Sequence, residues 1–472
     1  MFFNNCFTNV IQGVAWVENT KVRRMFGTDG VRDIANRGMM KPESAMKLGR
    51  AFTLFLLKRG NSKPKIVVGR DTRYSGHMIE YALCAGITSA GGDVYTIGEI
   101  PTPGVSYSVA AGDFDGGAVI SASHNPAEYN GIKFLDGEGF KLSDDEELEI
   151  ESLFDVKEEI ERPIHGSIGR ITNAPGLTDD YLKFLIGIMD KVENREYSIV
   201  IDAANGAASA LVEPLFKNWK GKVSIFANEP DGLNINLGVG VTNMGFLREK
   251  TINKKADIGI AYDGDTDRVL MCDGKGRIID GDIMLWVIGR WLSMKGTLGS
   301  GVVATVMSNM VLEDLLRKDG IKVFRCGVGD RYVLDTMRKK KSRVGGEQSG
   351  HLIALDFANT GDGLCSGLLF LRAISDLGED ISTLSDRFDR YPQVLRNLRI
   401  ENKDLILGSS RLKKAEKIAM NELKGKGRML LRPSGTEPLI RIFVESRNHD
   451  LMNATADMLE NTILEIACTG GN

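Results

Sequence analysis

The sequence predicts an α/β protein: three related α/β domains with mixed, largely parallel sheets, and a smaller C-terminal α+β domain, around a shared cleft. Three observations support this prediction. The chain has 472 residues, 42% of them hydrophobic, which is enough for about three or four domains of ordinary size. A strand and helix pattern occurs three times along the chain, and the C-terminal residues follow a different order.

The first occurrence of the pattern begins at residue 65 and reads "KIVVGRD", "YSGHMIEYALCAGITSAGG", "DVYTIGE", "TPGVSYSVAAGD" and "GGAVISAS". Short apolar runs that alternate with amphipathic stretches predict βαβ units and a parallel sheet. The pattern returns near residue 197 as "YSIVIDAANGAASALVEPLF" and at residue 301 as "GVVATVMSNMVLEDLLRKDG". The chain is therefore expected to contain three related α/β domains.

The C-terminal segment has an amphipathic helix around "SSRLKKAEKIAMNELKG", two strands in "RMLLRPSGTEPLIRIFVES" and a final helix, which predicts a small α+β domain. Glycine, proline and charged residues interrupt the apolar periodicity between the segments and indicate the domain boundaries. The predicted domains are residues 25–168, 169–274, 275–390 and 391–472. Residues 1–24 are interpreted as a leader, consistent with a misassigned start, because the organised sequence begins at "FGTDGVR".

Composition excludes several classes of partner. The net charge of −3 provides neither a broad basic surface for nucleic acid nor a polybasic anchor for a membrane. No apolar run reaches the roughly 20 residues that span a bilayer. The six cysteines show no C-x-x-C spacing, so neither a zinc knuckle nor a disulfide framework is indicated. We expect a cytoplasmic monomer or homodimer.

The stretch "AVISASHNPAEYNGIKF", residues 118–134, places Ser123 and His124 just past a predicted parallel strand. Open α/β sheets bind their ligands at this end of the strands. The surrounding residues lack the G-x-S-x-G elbow of a serine hydrolase, and no acidic partner for His124 is evident, so phosphoryl chemistry is favoured. The alternative is that Ser123 and Asn125 only form the turn before Pro126.

A second loop, "YDGDTDRV", carries Asp263, Asp265 and Asp267 at alternate positions, with Arg268 beside them. Carboxylate oxygens are suitable ligands for Mg²⁺ or Ca²⁺, and a guanidinium can bind a phosphate. An EF-hand is excluded because its sixth position would be Arg268 and its twelfth Gly274. A solvated acidic turn is disfavoured, because the three acids repel one another unless a cation binds there.

Two further loops contain polar groups suited to a sugar phosphate. The loop "GGEQSGHL" offers Glu347, Ser349 and His351, which suit sugar hydroxyls or form a polar turn. The loop "LRPSGTEPLIR" is suited to bind a phosphate or to form a hairpin turn, through Arg432, Ser434, Gly435 and Thr436. Together the four loops predict an enzyme that moves a phosphoryl group on a sugar phosphate.

The motifs "ASHNP", "DGDTDR", "GEQSGH" and "RPSGTEP", in this order and spacing, resemble the α-D-phosphohexomutase family over nearly the whole chain from residue 25. The further motifs "FGTDGVR", "PDGLNIN", "ATVMSN" and "VGDRYV" are similar to those of the branch that acts on glucosamine phosphate. In contrast, "NPAEYNGIK" and the threonine of "DGDTDR" resemble the branches that act on mannose and glucose phosphates. The expected substrate is a hexosamine phosphate, with a hexose phosphate as the alternative.

The resemblance implies that Ser123 carries a phosphoryl group with about two negative charges. Mg²⁺ held by Ser123 and the three aspartates would neutralise this charge, and a sugar 1,6-bisphosphate would be both intermediate and activator. The resemblance also assigns Arg32 and Lys133 to acid/base chemistry and charge stabilisation, assisted by His124 and Arg268. The implied substrate-binding residues are Glu347, Ser349, His351, Arg331, Arg432, Ser434, Gly435 and Thr436.

Three alternatives stay open. Lys133 taken alone could be a solvated surface lysine. A sugar-phosphate phosphatase would use the same serine and metal but transfer the phosphoryl group to water. A non-catalytic phosphosugar-binding protein would need the "RPSGTEP" loop but not Ser123 together with three metal-binding carboxylates.

Overall fold

The computed structural model describes residues 25–27, 29–155, 162–193, 195–433 and 438–469, together with the backbone of residues 9–11 and 14–16. The chain forms two compact units. The larger comprises Val22–Ser308 and Leu315–Arg387, and the smaller comprises Met1–Lys21, Asn309–Asp314 and Phe388–Asn472. Two short antiparallel strands of the smaller unit come first, β1 (Asn9–Ile11) and β2 (Val14–Trp16). Within the part of the chain that is described, every helix is too short or too polar to cross a membrane.

The larger unit begins with a six-stranded sheet and its helices. Its elements are β3 (Val31–Ile34), α1 (Pro42–Lys58), β4 (Lys65–Arg70), α2 (Gly76–Ser89), β5 (Asp93–Glu99), α3 (Thr102–Ala111), β6 (Gly116–Ile120), β7 (Tyr129–Leu135), α4 (Asp144–Phe154) and β8 (Ile171–Asn173). The strand order is β3-β7-β6-β4-β5-β8. Strand β4 is parallel to β5 and β6, whereas β7 is antiparallel to β6. Ser123 lies in the loop between β6 and β7, at the carboxyl end of a parallel strand, as predicted.

Two glycines let helices α1 and α2 pack closely. A Cβ atom on Gly49 would lie 2.3 Å from the carbonyl oxygen of Leu83, and one on Gly86 would lie 1.9 Å from that of Met46. Both distances are too short for any side chain. Beneath the helices, Phe52 of α1 stacks on Phe134 of β7 with ring centroids 4.3 Å apart. This buried layer fixes α1 against the sheet that carries the Ser123 loop.

A five-stranded sheet follows in the larger unit. Its elements are α5 (Gly176–Met189), β9 (Ile199–Asp202), α6 (Ser209–Phe216), β10 (Val223–Phe226), α7 (Met244–Lys254), β11 (Ile258–Tyr262), β12 (Val269–Asp273) and β13 (Ile278–Ile279). The order is β10-β9-β11-β12-β13, with β9 parallel to β10 and β11. Strand β12 returns antiparallel to β11, and the turn between them contains the three aspartates.

A four-stranded sheet completes the larger unit. Its elements are α8 (Gly281–Met294), β14 (Val302–Thr305), α9 (Met310–Lys318), β15 (Val323–Cys326), α10 (Asp330–Lys340), β16 (Val344–Gly346), β17 (Leu352–Ala354), α11 (Gly363–Leu377) and α12 (Ile381–Arg387). The residues of α9 up to Asp314 belong to the smaller unit. Strand β14 is parallel to β15 and β16, and β17 is antiparallel to β16. The turn between β16 and β17 carries Glu347, Ser349 and His351.

The three sheets share one arrangement. In each, parallel strands are followed by one antiparallel strand, and a predicted functional loop joins the two kinds of strand. The prediction of three related α/β domains with mixed, largely parallel sheets is therefore confirmed.

The smaller unit is α+β, as predicted. Its later elements are β18 (Gln393–Arg399), α13 (Lys403–Gly408), α14 (Ser410–Leu423), β19 (Gly427–Pro433), β20 (Leu439–Ser446) and α15 (His449–Thr469). The sheet is antiparallel, in the order β18-β20-β19. Strand β18 was not predicted, because proline and charged residues interrupt the apolar pattern there. The segment Asn309–Asp314 belongs to this unit: Asn309 exchanges hydrogen bonds of 3.0 and 3.2 Å with the backbone of Tyr391, and Arg447 pairs with Asp314.

Candidate active site

The loops after β6 and β11 meet at Ser123. This serine is 1% exposed, and its Oγ donates a hydrogen bond of 2.6 Å to Asp263 Oδ2. The contact is close because Gly264 has no side chain: a Cβ atom there would lie 2.6 Å from the carbonyl oxygen of Ser123. The predicted phosphoryl carrier and the predicted metal-binding turn are thus in direct contact, although 140 residues separate Ser123 from Asp263.

The three aspartates form a compact set of oxygen ligands. Asp263, Asp265 and Asp267 are buried, and one oxygen of each lies within 4.8 Å of the others. Asp265 Oδ1 and Asp267 Oδ1 are buried without any hydrogen-bond partner. Because buried carboxylate oxygens are normally satisfied, these two atoms fit a site that binds a divalent cation.

The charges of the aspartates depend on their surroundings. Burial raises the pKa of Asp263 well above its ordinary value, and the neighbouring Asp267 and Asp265 raise it further. Burial also opposes ionisation of Asp267, but the positive charges of Lys133 and His351 hold its pKa well below its ordinary value. Asp263 therefore resists ionisation beside the other two carboxylates, whereas protein cations stabilise the ionised form of Asp267.

Lys133 is one of these cations. It lies on β7, only 2% exposed, with its Nζ 2.8 Å from both Asp265 Oδ2 and Asp29 Oδ2 and 3.7 Å from Asp267 Oδ2. Burial opposes its protonation, but the adjacent carboxylates raise its pKa above the ordinary value. The interpretation of Lys133 as a solvated surface lysine is therefore wrong, because the side chain is enclosed among acids.

Four neighbouring residues were not predicted: Asp29, Thr102, Lys141 and Asp330. Lys141 Nζ lies 2.8 Å from Asp29 Oδ1 and also pairs with Asp330 at the start of α10. Thr102, at the start of α3, donates a hydrogen bond of 2.6 Å from Oγ1 to Asp265 Oδ2. Asp29 and Asp330 were visible within the motifs "FGTDGVR" and "VGDRYV", whereas the sequence near Thr102 and Lys141 offers no chemical signal.

A cavity of about 410 Å³ opens beside this cluster. Its volume is within the range of small-molecule sites. The predicted residues that line it are Arg32, His124, Asp267, Arg268, Glu347 and His351, and the others are Met25, Gly27, Asp29, Gly30, Lys141, Gly329 and Asp330.

The pKa values of the two histidines are shifted in opposite directions. His124 Nδ1 lies 3.4 Å from Ser123 Oγ, and burial together with the charges of Arg268 and Arg32 lowers its pKa. His351 is 2% exposed, with Nδ1 3.6 Å from Asp267 Oδ2. Burial opposes its protonation, but Asp267 raises its pKa above the ordinary value. A neutral imidazole therefore adjoins the serine, and a more basic one adjoins the third aspartate.

The remaining predicted residues lie in different surroundings. Glu347 Oε1 accepts a hydrogen bond of 3.0 Å from the backbone N–H of Gly329, whereas Ser349 is exposed on the same turn. Arg331 pairs with Asp144 and Glu147 of α4 and is not among the residues that line the cavity. Arg432 is half-buried on β19 of the smaller unit. Ser434, Gly435 and Thr436 lie outside the described residues.

Comparison with known families finds four successive matches. They are the phosphoglucomutase/phosphomannomutase α/β/α domain I over residues 23–161, domain II over 179–276, domain III over 280–391 and the C-terminal domain over 395–462.

Similar proteins cover nearly the whole chain. A phosphoglucosamine mutase of Bacillus subtilis is 43% identical over 445 residues, which are 94% of this chain and 98% of that protein. One from Caldicellulosiruptor saccharolyticus is 44% identical, over 93% of this chain and 98% of that protein.

Solved structures share the fold at lower identity. A phosphoglucomutase/phosphomannomutase family protein of Burkholderia thailandensis has a TM-score of 0.77 at 23% identity, covering 94% of this chain and 98% of that one. The N-acetylphosphoglucosamine mutase of Aspergillus fumigatus, solved with GlcNAc-6P and magnesium, has a TM-score of 0.64 at 16% identity, covering 94% and 96%. At these identities the likeness concerns the fold alone.

Proposed function

The chain belongs to the phosphoglucomutase/phosphomannomutase family, and from that premise we propose that it is a phosphoglucosamine mutase. It would interconvert glucosamine 6-phosphate and glucosamine 1-phosphate through a phosphoserine and a sugar 1,6-bisphosphate. The observation that carries this proposal is the hydrogen bond of 2.6 Å between Ser123 Oγ and Asp263, inside a buried cluster of three carboxylates beside the cavity.

The reaction has two phosphoryl transfers at Ser123 Oγ. In the first, a sugar hydroxyl oxygen forms a bond to phosphorus while the bond from phosphorus to Ser123 Oγ breaks, and the hydroxyl proton ends on Ser123 Oγ. The bisphosphate then turns end for end. In the second, Ser123 Oγ attacks the other phosphate and its proton passes to the sugar oxygen that leaves, which restores the phosphoserine.

The cluster supplies the charges that this transfer requires. We assign Arg32 and Lys133 to proton transfer and to stabilising negative charge on the phosphoryl oxygens, with Arg268 beside them. The neutral imidazole of His124, 3.4 Å from Ser123 Oγ, can accept a proton near the reacting oxygen.

The hard oxygen ligands favour Mg²⁺ as the resident cation. Asp263, Asp265, Asp267 and the phosphorylated Ser123 would hold it, and when bound it neutralises charge on the phosphoryl group. The buried Oδ1 atoms of Asp265 and Asp267, which have no hydrogen-bond partner, support this assignment.

Substrate recognition is assigned to the other loops. Glu347 lines the cavity, and its carboxylate suits a sugar hydroxyl or the ammonium group of glucosamine. Ser349, His351 and Arg331 are proposed as its partners in binding the sugar. Arg432, with Ser434, Gly435 and Thr436, is proposed to bind the phosphate that does not react.

Glucose and mannose phosphates are the alternative substrates, because "NPAEYNGIK" and the threonine of "DGDTDR" resemble those branches.

Among the described residues the cysteines Cys84, Cys272, Cys326, Cys365 and Cys468 are all free thiols, which supports a reducing cytoplasm. Whether the enzyme is a monomer or a homodimer stays a prediction.

The test is a comparison of turnover on glucosamine 6-phosphate, glucose 1-phosphate and mannose 1-phosphate, with Mg²⁺ and the matching bisphosphate. We expect the highest kcat/KM for glucosamine 6-phosphate and no net release of inorganic phosphate. A higher kcat/KM for glucose 1-phosphate or mannose 1-phosphate would instead identify the enzyme as a phosphoglucomutase or phosphomannomutase. Stoichiometric phosphate release without isomerised sugar would identify a phosphatase.

A further inference from the structure

The backbone of Ser123 has an uncommon conformation. Its φ angle is +51°, in the left-handed region that a residue with a Cβ atom rarely adopts. Such a conformation persists only where surrounding contacts hold it. The contacts around Ser123 come from both the first and the second α/β domains.

Arg73 supplies the contacts from the first domain. Its guanidinium is buried and donates five hydrogen bonds, which is its full capacity. The acceptors are Asp71 Oδ2 and the carbonyl oxygens of Ser123, Asn125, Pro126 and Tyr129. One side chain therefore binds four carbonyl oxygens between Ser123 and Tyr129.

The amide side of Ser123 is held by the same network. The N–H of Ser123 donates a hydrogen bond of 2.9 Å to Ser121 Oγ, which in turn donates one of 2.6 Å to Asp71 Oδ2. Within the first domain, both backbone polar groups of the reactive serine are thus fixed.

Asn236 supplies the contact from the second domain and lies in the motif "PDGLNIN", for which the mechanism above has no role. Its Nδ2 donates to the carbonyl oxygen of Ser123 at 2.9 Å and to that of Asn125 at 3.2 Å. Its own N–H donates to the carbonyl oxygen of Ala204 at 2.9 Å, which ties it to the loop after β9. The φ angle of Asn236 is +58°, which asparagine tolerates better than most residues.

The metal-binding turn packs against both Ser123 and Asn236. A Cβ atom on Gly264 would lie 2.8 Å from Asn236 Nδ2 as well as 2.6 Å from the carbonyl oxygen of Ser123. Nearby, Thr72 Oγ1 donates to the carbonyl oxygen of Asn205 at 2.6 Å. The serine loop, Asn236 and the aspartate turn therefore form one packed junction between two domains.

We propose that Asn236 is a positioning residue for phosphoryl transfer, which anchors the backbone of Ser123 to the domain that carries the metal-binding aspartates. The side chain donates to the backbone carbonyl oxygens of Ser123 and Asn125, and Asn236 is not among the residues that line the cavity. By fixing the serine carbonyl, it keeps Ser123 Oγ at a constant distance from Asp263 through both half-reactions. This inference rests on the proposed mutase function.

Two variants test it. Asn236→Asp keeps the size of the side chain but replaces the donor by an acceptor, and Asn236→Gly removes the donor while tolerating the positive φ. We expect kcat to fall about 10- to 100-fold in both, as for a misplaced reacting group, with KM for glucosamine 6-phosphate unchanged. Asn253→Asp is the matched control, because Asn253 is exposed on α7 of the same domain and should keep wild-type kinetics.

A second measurement does not depend on activity. Hydrogen exchange of the backbone amides of residues 121–125, followed by mass spectrometry, should be faster in Asn236→Gly than in wild type and the control. Unchanged exchange, unchanged kcat in Asn236→Gly, or a raised KM with unchanged kcat would each overturn the inference. If Asn236→Asp does not fold, the kcat and the hydrogen exchange of Asn236→Gly are sufficient to test the inference. Wild-type protein without mutase activity would instead refute the proposed function, and the exchange measurement would still decide whether Asn236 holds the loop.

Discussion

Replacing Lys133 by methionine should destabilise the larger unit strongly. Lys133 is 2% exposed, and its Nζ lies 2.8 Å from both Asp29 and Asp265. Methionine has a similar length and fills the space, but it leaves both carboxylates without this cation. The structure therefore predicts an electrostatic loss with little change in packing.

The magnitude follows from the distances. At 2.8 Å and an effective dielectric constant of about 20, each ion pair contributes about 6 kcal/mol of Coulomb energy. Removing the lysine also removes the cost of burying its charge, and Lys141 still pairs with Asp29 at 2.8 Å. The net loss should therefore be about 3 to 5 kcal/mol, as when one partner of a buried pair is removed.

A double-mutant cycle assigns the loss to the ion pair. In Lys133→Met/Asp265→Asn the uncompensated charge at Asp265 is gone. The double variant should therefore lose about 0.5 to 3 kcal/mol less free energy of unfolding than the summed losses of the two single variants. Urea unfolding in EDTA, followed by tryptophan fluorescence, is suitable because Trp219, Trp286 and Trp291 all lie in the larger unit.

The control is Lys63→Met. The Lys63 side chain is 40% exposed and its Nζ lies 3.2 Å from Asp93, so its loss should change stability by about 0 to 1 kcal/mol. If Lys133→Met were as stable as this control, the charge cluster around Lys133 would contribute nothing to folding. If the cycle gave no coupling, Lys133 and Asp265 would not form a pair in solution, and the reasoning would fail.

Three further predictions concern other residues. Ser123→Ala should fold normally but lose mutase activity, and it should lose the phosphate that intact-mass measurement detects on wild type. The control Ser152→Ala, at an exposed serine, should keep the activity and the phosphate. Phosphate retained in Ser123→Ala would contradict the mechanism. Arg432→Lys keeps the charge but not the forked donor, so kcat/KM should fall about 10- to 100-fold with unchanged Tm, and unchanged kcat/KM would remove Arg432 from the site. Burial raises the pKa of Asp362 to about 6 from 3.8, so the folded state binds its proton more tightly than the unfolded state does. Relative to Asp362→Asn, wild type should lose about 3 kcal/mol of stability as the pH rises from about 4 to 6, and parallel pH profiles in urea unfolding would show that Asp362 has an ordinary pKa.

Much of the fold and part of the site could be predicted from local patterns. The apolar run before Ser123 and the polar residues after it indicated a strand end, and the structure has β6 followed by that loop. The alternate spacing of Asp263, Asp265 and Asp267 indicated a metal site, and the three carboxylates do converge. These features depend on neighbouring residues, whose types and spacing the sequence displays directly. Strand β18 was missed because its charged residues mask the apolar alternation.

The amino-acid sequence by itself determined the kinds of elements, the chemistry of each loop and the family to which those loops belong. Only the tertiary structure decided which charges are buried together. Lys141 joins Asp29 and Asp330, and Arg331 pairs with α4 across 184 and 187 residues of sequence. Whether a lysine or an arginine is solvated or enclosed depends on segments that are distant in the chain, because burial and ion pairing arise when separate domains pack. The residue types and spacing within each loop therefore indicate its chemistry. The packing of distant segments determines the protonation and the position of the loop side chains.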